Sequence, residues 1–272
     1  MALPPLYPII DFSCFAAKPD PVSAMVGYAE ELIAAGATLL QLRDKSQPSS
    51  NDAAQHDAIP GSAAQNNASP MRRFLSCARE LRRVTLGRAT LIINDRVDLC
   101  LASEADGVHL GQDDLSPVAA RRIFDQVSQA LHPFAAEPPA SPELRAPHPF
   151  AARPSGSSEP SSERVGNRNP LLIGFSTHNL DQLRAADSLP VDYIAIGPVF
   201  ATSSKANPDP VVGIEGVRRA REVTAKPLVA IGGITRQNCL QVKAAGADAV
   251  AVISDLLESP GKAVADFLRI LG

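Results

Sequence analysis

The chain has 272 residues, 45% of them hydrophobic and 20% charged, the balance of a folded globular protein able to bury a sizeable core. Its 26 basic and 29 acidic side chains sum to −3, and aromatic residues make up 4% with no Trp. A global basic field and a stacking surface for nucleic acid are therefore both excluded. No apolar run approaches the roughly 18 to 20 residues of a membrane span. The start Met1-Ala2-Leu3-Pro4-Pro5 lacks the layout of a secretory signal, so a cytoplasmic protein is expected. Cys14, Cys77, Cys100 and Cys239 are scattered without a C-x-x-C pair, the pattern of free thiols rather than of a zinc site or disulfide framework.

In chain order, the apolar or β-branched runs that read as strands are Leu6 to Ile10, Thr38 to Leu42, Thr90 to Ile93, Gly107 to Leu110, Leu171 to Phe175, Tyr193 to Ile196, Leu228 to Ile231 and Ala249 to Ile253. Each is continuous in apolar residues, as parallel strands buried on both faces are, and each precedes a helix-compatible stretch. Eight such units predict a closed (β/α)8 TIM barrel. Ala34-Ala35-Gly36-Ala37 and Ala244-Ala245-Gly246-Ala247 place a glycine where a helix would stop before strands 2 and 8. A doubly wound open sheet would need a Gly-rich turn after the first strand, and Asp11-Phe12-Ser13-Cys14 is not one.

Two stretches interrupt the pattern. Residues 47–70 are rich in Ser, Asn, Gln, Asp, Ala and Pro, with Ile59 the sole large apolar residue. Residues 131–170 hold nine prolines and repeat H-P-F-A-A-x-P at His132 and His148. Neither has the apolar content to offset its ordering entropy. Both are expected to be flexible insertions in a single domain spanning 1–272, the first on the active-site side, where a lid is conceivable, and the second on the opposite face.

Active sites of such barrels lie at the C-terminal ends of the strands, which narrows the candidates. After strand 2, alternation points Gln41, Arg43 and Lys45 to one side, two cations and an amide suited to a diphosphate; a solvated strand end is the plain alternative. Strand 3 stops at Asn94-Asp95 and strand 4 runs into Gly111-Gln112-Asp113-Asp114. Carboxylates on adjacent strand ends suit a hard divalent cation that also takes waters and phosphate oxygens, with helix capping as the alternative for each alone. Strand 5 ends in Ser176-Thr177-His178. Ser176 is a candidate substrate contact or cap; His178, without a visible partner, reads as a positioning residue, and His109 as a satisfied core residue.

Strand 6 leads to Thr202-Ser203-Ser204-Lys205, hydroxyls closed by a cation, which suit a phosphate or form an ordinary loop. Strand 7 ends in Gly232-Gly233 and strand 8 in Ile253-Ser254. Backbone N–H groups at these two positions commonly bind a monophosphate in such barrels. A diphosphate with metal on one rim and a phosphate on the other imply two small phosphorylated substrates.

In combination, Q-L-R-D-K at Gln41 to Lys45, N-D at Asn94-Asp95, D-G-V-H-L-G-Q-D-D at Asp106 to Asp114, G-F-S-T-H at Gly174 to His178, G-P-V-F-A-T-S-S-K at Gly197 to Lys205, I-G-G-I at Ile231 to Ile234 and V-I-S at Val252 to Ser254 resemble the thiamine phosphate synthase family across the chain outside the insertions. The resemblance implies a transferase that joins hydroxymethylpyrimidine diphosphate to hydroxyethylthiazole phosphate, releasing pyrophosphate, through a dissociative pyrimidine cation. Carried over, Gln41, Arg43, Lys45, Asn94, Ser176 and Lys205 would bind the pyrimidine diphosphate, with Arg43, Lys45, Ser176 and Lys205 in catalytic roles. Thr202, Ser203, Ser204, Gly233, Ile253 and Ser254 would hold the thiazole phosphate, and Asp95 with Asp114 would hold Mg²⁺, with Mn²⁺ not distinguished. The family's hydroxyl loop often reads T-x-T-K after a Pro; here Ala201 precedes Thr202-Ser203-Ser204-Lys205, which keeps the donors.

Three rival readings fit these residues less well. A thiazole tautomerase-like relative would use His178 and dispense with the diphosphate residues, which are retained. A binding or regulatory protein would be expected to have lost the carboxylates, which are present. A sugar-phosphate isomerase should face one substrate with an acid and a base. Neither nucleic acid nor a membrane is an expected partner, and assembly of identical chains is left open.

Overall fold

The computed structural model describes residues 2–44, 70–131, 170–202 and 209–272. Eight strands close into one parallel barrel in sequence order: β1 (Leu6–Asp11), β2 (Leu39–Arg43), β3 (Thr90–Asn94), β4 (Gly107–Leu110), β5 (Leu172–Thr177), β6 (Tyr193–Ile196), β7 (Leu228–Ile231) and β8 (Ala249–Val252). The helices are α1 (Pro21–Ala34), α2 (Pro70–Thr85), α3 (Val97–Ala102), α4 (Pro117–Leu131), α5 (Leu180–Asp187), α6 (Gly213–Val223), α7 (Cys239–Ala244) and α8 (Pro260–Leu271). The eight expected strands are all present, within two residues at each end. The two expected insertions fall almost wholly outside the described residues; Pro70 already opens α2 and Leu131 closes α4.

Local chemistry accounts for several boundaries. Asp20 accepts the Ser23 N–H at 3.1 Å and Pro21 takes the first position of α1, a cap worth about 1 kcal/mol. Asn179 does the same for Gln182 in α5 at 2.9 Å. Gly36 and Gly246 end α1 and α7 at φ 107° and 106°, a left-handed conformation that glycine adopts without penalty.

The core has two layers. Between sheet and helices pack Ile10, Leu32, Leu40, Leu42, Ile93 and Phe267, among many others. Inside the barrel, Ile9, Leu39, Ile92, Ala195, Val229 and Ala251 surround the rings of Tyr7 and Tyr193, which meet edge-on with centroids 5.9 Å apart. The alternation that turns Leu40 and Leu42 outward turns Leu39, Gln41 and Arg43 inward and toward the mouth.

At the N-terminal face one device occurs three times. The aspartate preceding β4, β6 and β8 accepts the N–H of a residue of the preceding strand and an arginine from the helix that leads into that preceding strand. Asp106 takes Leu91 N–H and Arg82, both at 2.8 Å. Asp192 takes Ile173 N–H at 2.7 Å and Arg121 at 2.6 Å. Asp248 takes Leu228 N–H and Arg221, both at 2.8 Å. Charge-assisted bonds of this kind tie helix to sheet on the face opposite the mouth.

Candidate active site

The mouth is built by residues at the C-terminal ends of the strands. The pairing of β1 with β2 places Asp11 opposite Arg43, and their side chains form an ion pair at 3.1 Å. Asp11 is buried and also accepts the Ser13 N–H at 3.1 Å and the Ser13 hydroxyl at 2.6 Å. It therefore aims the guanidinium from a fixed position.

On the next two strands the carboxylates meet. Asp95 follows β3 with φ 62°, a left-handed position that Asp and Asn tolerate better than most residues, and its N–H donates to the His109 carbonyl at 2.7 Å. Neither carboxylate caps a helix. Arg96 stands at the N-cap of α3 without a side-chain bond, and Ser116 serves Ala119 at the start of α4. Asp114 instead folds back to accept the Gly111 N–H at 2.7 Å. Desolvation, then the Asp114 charge and a hydrogen bond to Asp114, hold the Asp95 carboxyl well above the usual carboxylate range, while Arg43 pulls it down. The residue as a whole is exposed at the rim, so the like-charge contact is the cause that carries weight.

Two carboxylates in contact suit a divalent cation, which removes their repulsion. Among the described residues no group of three or more His, Cys, Asp or Glu converges on a metal position. A pair of oxygen donors leaving coordination positions to water and phosphate fits Mg²⁺ better than a metal that needs a full protein cage.

Ser176 ends the inward face of β5, half-buried, and sits at one end of a chain of hydrogen bonds across the barrel. Its Oγ meets His109 Nε2 at 2.8 Å. His109 Nδ1 meets Tyr193 Oη at 3.1 Å, Tyr193 meets Tyr7 at 2.9 Å, and Tyr7 accepts from Gln41 Nε2 at 2.9 Å. Gln41, Tyr7, Tyr193 and His109 are all buried. Burial keeps the tyrosine hydroxyls protonated and lowers the His109 imidazole to about 4. A broken link would leave a buried polar atom unmet, at a cost of about 1–3 kcal/mol. Gln112 adds a bond from its amide to the Ser176 carbonyl. His109 is thus a satisfied core residue, as expected, and in addition the support of Ser176.

The opposite side of the mouth is made of backbone. The 197–201 loop lies directly on the loop after β7, with Val199 N–H donating to the Ile231 carbonyl at 2.9 Å and Phe200 N–H to that of Gly232 at 3.0 Å. Gly232 and Gly233 have φ of 100° and 64°; a Cβ on Gly233 would stand 2.6 Å from the Ala201 carbonyl oxygen. Both glycines are required by conformation and by space. Ile253 packs partly into the barrel interior, while Ser254 is exposed and opens a single 3₁₀ turn, Ser254–Leu256. Arg236 clamps the two loops, donating to Asp255 through Nε at 3.0 Å, Nη2 at 3.2 Å and its backbone N–H at 2.8 Å.

His178 has partners after all: its Nδ1 lies 2.9 Å from the Gly197 carbonyl and 3.4 Å from the Asp209 carboxylate. It joins the end of β5 to the loop after β6, in keeping with a positioning residue. Asn94 and Thr202 reach the same rim, both half-buried. Lys45, Ser203, Ser204 and Lys205 lie outside the described residues.

Sequence reasoning passed over Asp11, Tyr7, Tyr193, Arg236 and Asp255. Asp11 had a usable signal, a carboxylate at the end of strand 1 beside a cationic strand end. The tyrosines did not, because inside an apolar run they read as core.

A closed parallel barrel with charged groups on one side of its mouth and glycine-built loops after β6 and β7 on the other defines an enzyme of the (β/α)8 class. The family model described as thiamine monophosphate synthase matches residues 13–129 and 159–256. The thiamine-phosphate synthase of Koribacter versatilis (strain Ellin345) is 42% identical over 271 residues, covering 100% of this chain and 97% of that protein. That of Methanospirillum hungatei JF-1 is 35% identical over 246 residues, 90% of this chain and 88% of that protein. The solved thiamine phosphate pyrophosphorylase of Pyrococcus furiosus superposes with a TM-score of 0.65 at 26% identity, covering 98% of this chain and 95% of that one. The chain belongs to the thiamine monophosphate synthase family and is an enzyme of the transferase class. No helix among the described residues is long and apolar enough to cross a membrane.

Proposed function

We propose that the chain acts as one domain over 1–272 and condenses an aminopyrimidine carrying a diphosphooxymethyl arm with a thiazole carrying a phosphooxyethyl arm, giving thiamine phosphate and pyrophosphate. The observation that carries this reading is the contact between Asp95 and Asp114 beside Arg43, opposite a rim whose glycines admit no side chain.

Gln41, Arg43, Lys45, Asn94, Ser176 and Lys205 receive the pyrimidine diphosphate. Thr202, Ser203, Ser204, Gly233, Ile253 and Ser254 receive the thiazole phosphate. The carbon–oxygen bond to pyrophosphate breaks first, its electron pair leaving with the diphosphate, and the 4-amino group spreads the positive charge left on the pyrimidine methylene. The thiazole nitrogen, held nearby, closes the new carbon–nitrogen bond. Arg43, Lys45 and Lys205 hold charge on the departing group, and Ser176 orients the ring. Asp95 and Asp114 would hold Mg²⁺, which when bound would supply further charge neutralisation at the pyrophosphate. No protein nucleophile is needed, and the barrel supplies alignment and electrostatics.

The reaction calls for small phosphorylated partners, not nucleic acid or membrane, and for a cytoplasmic setting. The test is pyrophosphate release by the purified chain with both substrates and Mg²⁺, omitting each in turn. Release that needs all three is expected. Binding of thiazole phosphate without release under any condition would overturn the synthase reading in favour of a tautomerase or regulatory role.

A further inference from the structure

The hydrogen bonds across the barrel run in one direction, because one end can only donate. The Gln41 amide nitrogen has no acceptor capacity, so Tyr7 Oη accepts from it and must spend its own proton on Tyr193. Tyr193 Oη, already accepting, must donate to His109 Nδ1. That nitrogen is then the acceptor of a neutral imidazole, and the ring proton sits on Nε2, pointing at Ser176 Oγ 2.8 Å away. Ser176 accepts from the ring, so its own hydroxyl proton points away from the ring and is available at the mouth. At the other end, the committed amide nitrogen leaves the Gln41 carbonyl oxygen as its available acceptor.

The fold is shaped around this chain. A Cβ at Gly174 would lie 2.0 Å from Tyr193 Cζ and 2.3 Å from its hydroxyl, so β5 needs glycine two residues before Ser176 for the tyrosine to fit. The Tyr193 ring in turn stacks on His109, centroids 5.5 Å apart and planes 23° apart, restraining the imidazole perpendicular to its plane while the two hydrogen bonds hold it within the plane.

We propose that Tyr7, Tyr193 and His109 are positioning residues forming a one-way relay that presents Ser176 as a hydrogen-bond donor and Gln41 as an acceptor to a single bound heterocycle. Such a pair recognises a ring with an acceptor nitrogen on one edge and an exocyclic amino group on another, the chemistry of an aminopyrimidine. An oxo analogue, with donor and acceptor exchanged, meets the wrong partner at both ends. The identity of the ring rests on the synthase reading above; the direction of the relay does not.

The relay is tested first by ¹⁵N–¹H correlation spectra of the imidazoles in the whole wild-type protein, with His109 assigned by comparison with His109→Gln. Protonation at Nε2 with an unprotonated Nδ1 is expected, and the opposite tautomer overturns the relay. The functional arm is Tyr193→Phe, which keeps the ring and removes one hydroxyl. KM for the pyrimidine diphosphate should rise about tenfold while KM for the thiazole phosphate stays within about twofold. Tyr7→Phe combined with Tyr193→Phe should lose little more than the single variant, since both cut one chain. Equal rises in both KM values, or losses that multiply in the double variant, would mean a merely structural role and overturn the proposal. If wild-type protein releases no pyrophosphate, the reaction assigned above fails, and the His109 tautomer still decides the relay.

Discussion

Under the proposed reaction, the two sides of the barrel mouth solve the same problem, holding an anion, with different materials. From β1 to β5 the work falls to side chains: Arg43 set by Asp11, the Asp95 and Asp114 carboxylates, and Ser176 supported from beneath by His109. From β6 to β8 it falls to the main chain, with Gly197, Gly232 and Gly233 letting two loops touch backbone to backbone. A site of side chains should respond to charge, in steps that depend on the group removed. A site of backbone should be indifferent to charge and intolerant of a single methyl group.

The largest effect expected on the first side is from Asp95→Asn, which preserves size and the left-handed backbone while removing the charge. Turnover at limiting Mg²⁺ should fall by at least about a hundredfold, measured as initial rates across a Mg²⁺ titration; full activity would remove the metal from Asp95. On the second side, Gly233→Ala must accommodate a Cβ 2.6 Å from a carbonyl oxygen at φ 64°. KM for the thiazole phosphate should rise by about tenfold or more, with the melting temperature lowered. An unchanged KM in steady-state kinetics would show that the backbone does not form that cradle.

Smaller changes sharpen the contrast. Asp11→Asn weakens the ion pair that aims Arg43, so KM for the pyrimidine diphosphate should rise about three- to tenfold while that for the thiazole phosphate is unmoved. A change in the thiazole phosphate alone would contradict the placement of Arg43. Ser254→Ala removes one exposed hydroxyl and leaves the backbone in place. Calorimetry should show thiazole phosphate binding weakened about two- to fivefold, and no weakening would take the Ser254 side chain out of the cradle.

The same contrast explains what was legible in the sequence. Strands such as Leu91-Ile92-Ile93 and Leu228-Val229-Ala230 are apolar throughout because both their faces are buried, and the eightfold repeat of that pattern is enough for the barrel. Gly36 and Gly246 marked helix ends because few other residues take their φ values. The candidate residues at strand ends followed from the barrel itself, and Gln41, Arg43, Asp95, Asp114, Ser176 and Gly233 do stand at or just below one mouth.

What could not be read depends on register and on distance through the fold. Asp11 and Arg43 are 32 positions apart and meet only because β1 and β2 pair with them side by side. Tyr7 and Tyr193 bond across the barrel, 186 positions apart, and within L-Y-P-I-I or Y-I-A-I nothing distinguishes a hydroxyl with a partner from one without. The three aspartate clamps left a trace, the recurring Asp at the start of strands 4, 6 and 8, but their arginines come from helices whose facing is set by packing. Lys45 and Ser203 to Lys205 remain placed by motif alone, since they fall outside the described residues.

The most direct test of two separate anion sites is a crossed binding experiment. Calorimetry would titrate inorganic pyrophosphate with Mg²⁺, and separately the thiazole phosphate, into Asp95→Asn and into Gly233→Ala. Asp95→Asn should lose Mg²⁺-dependent pyrophosphate binding and keep the thiazole phosphate, and Gly233→Ala should do the reverse. If either variant lost both ligands in a folded protein, or if the losses were exchanged, the division of the mouth into a side-chain site and a backbone site would be wrong.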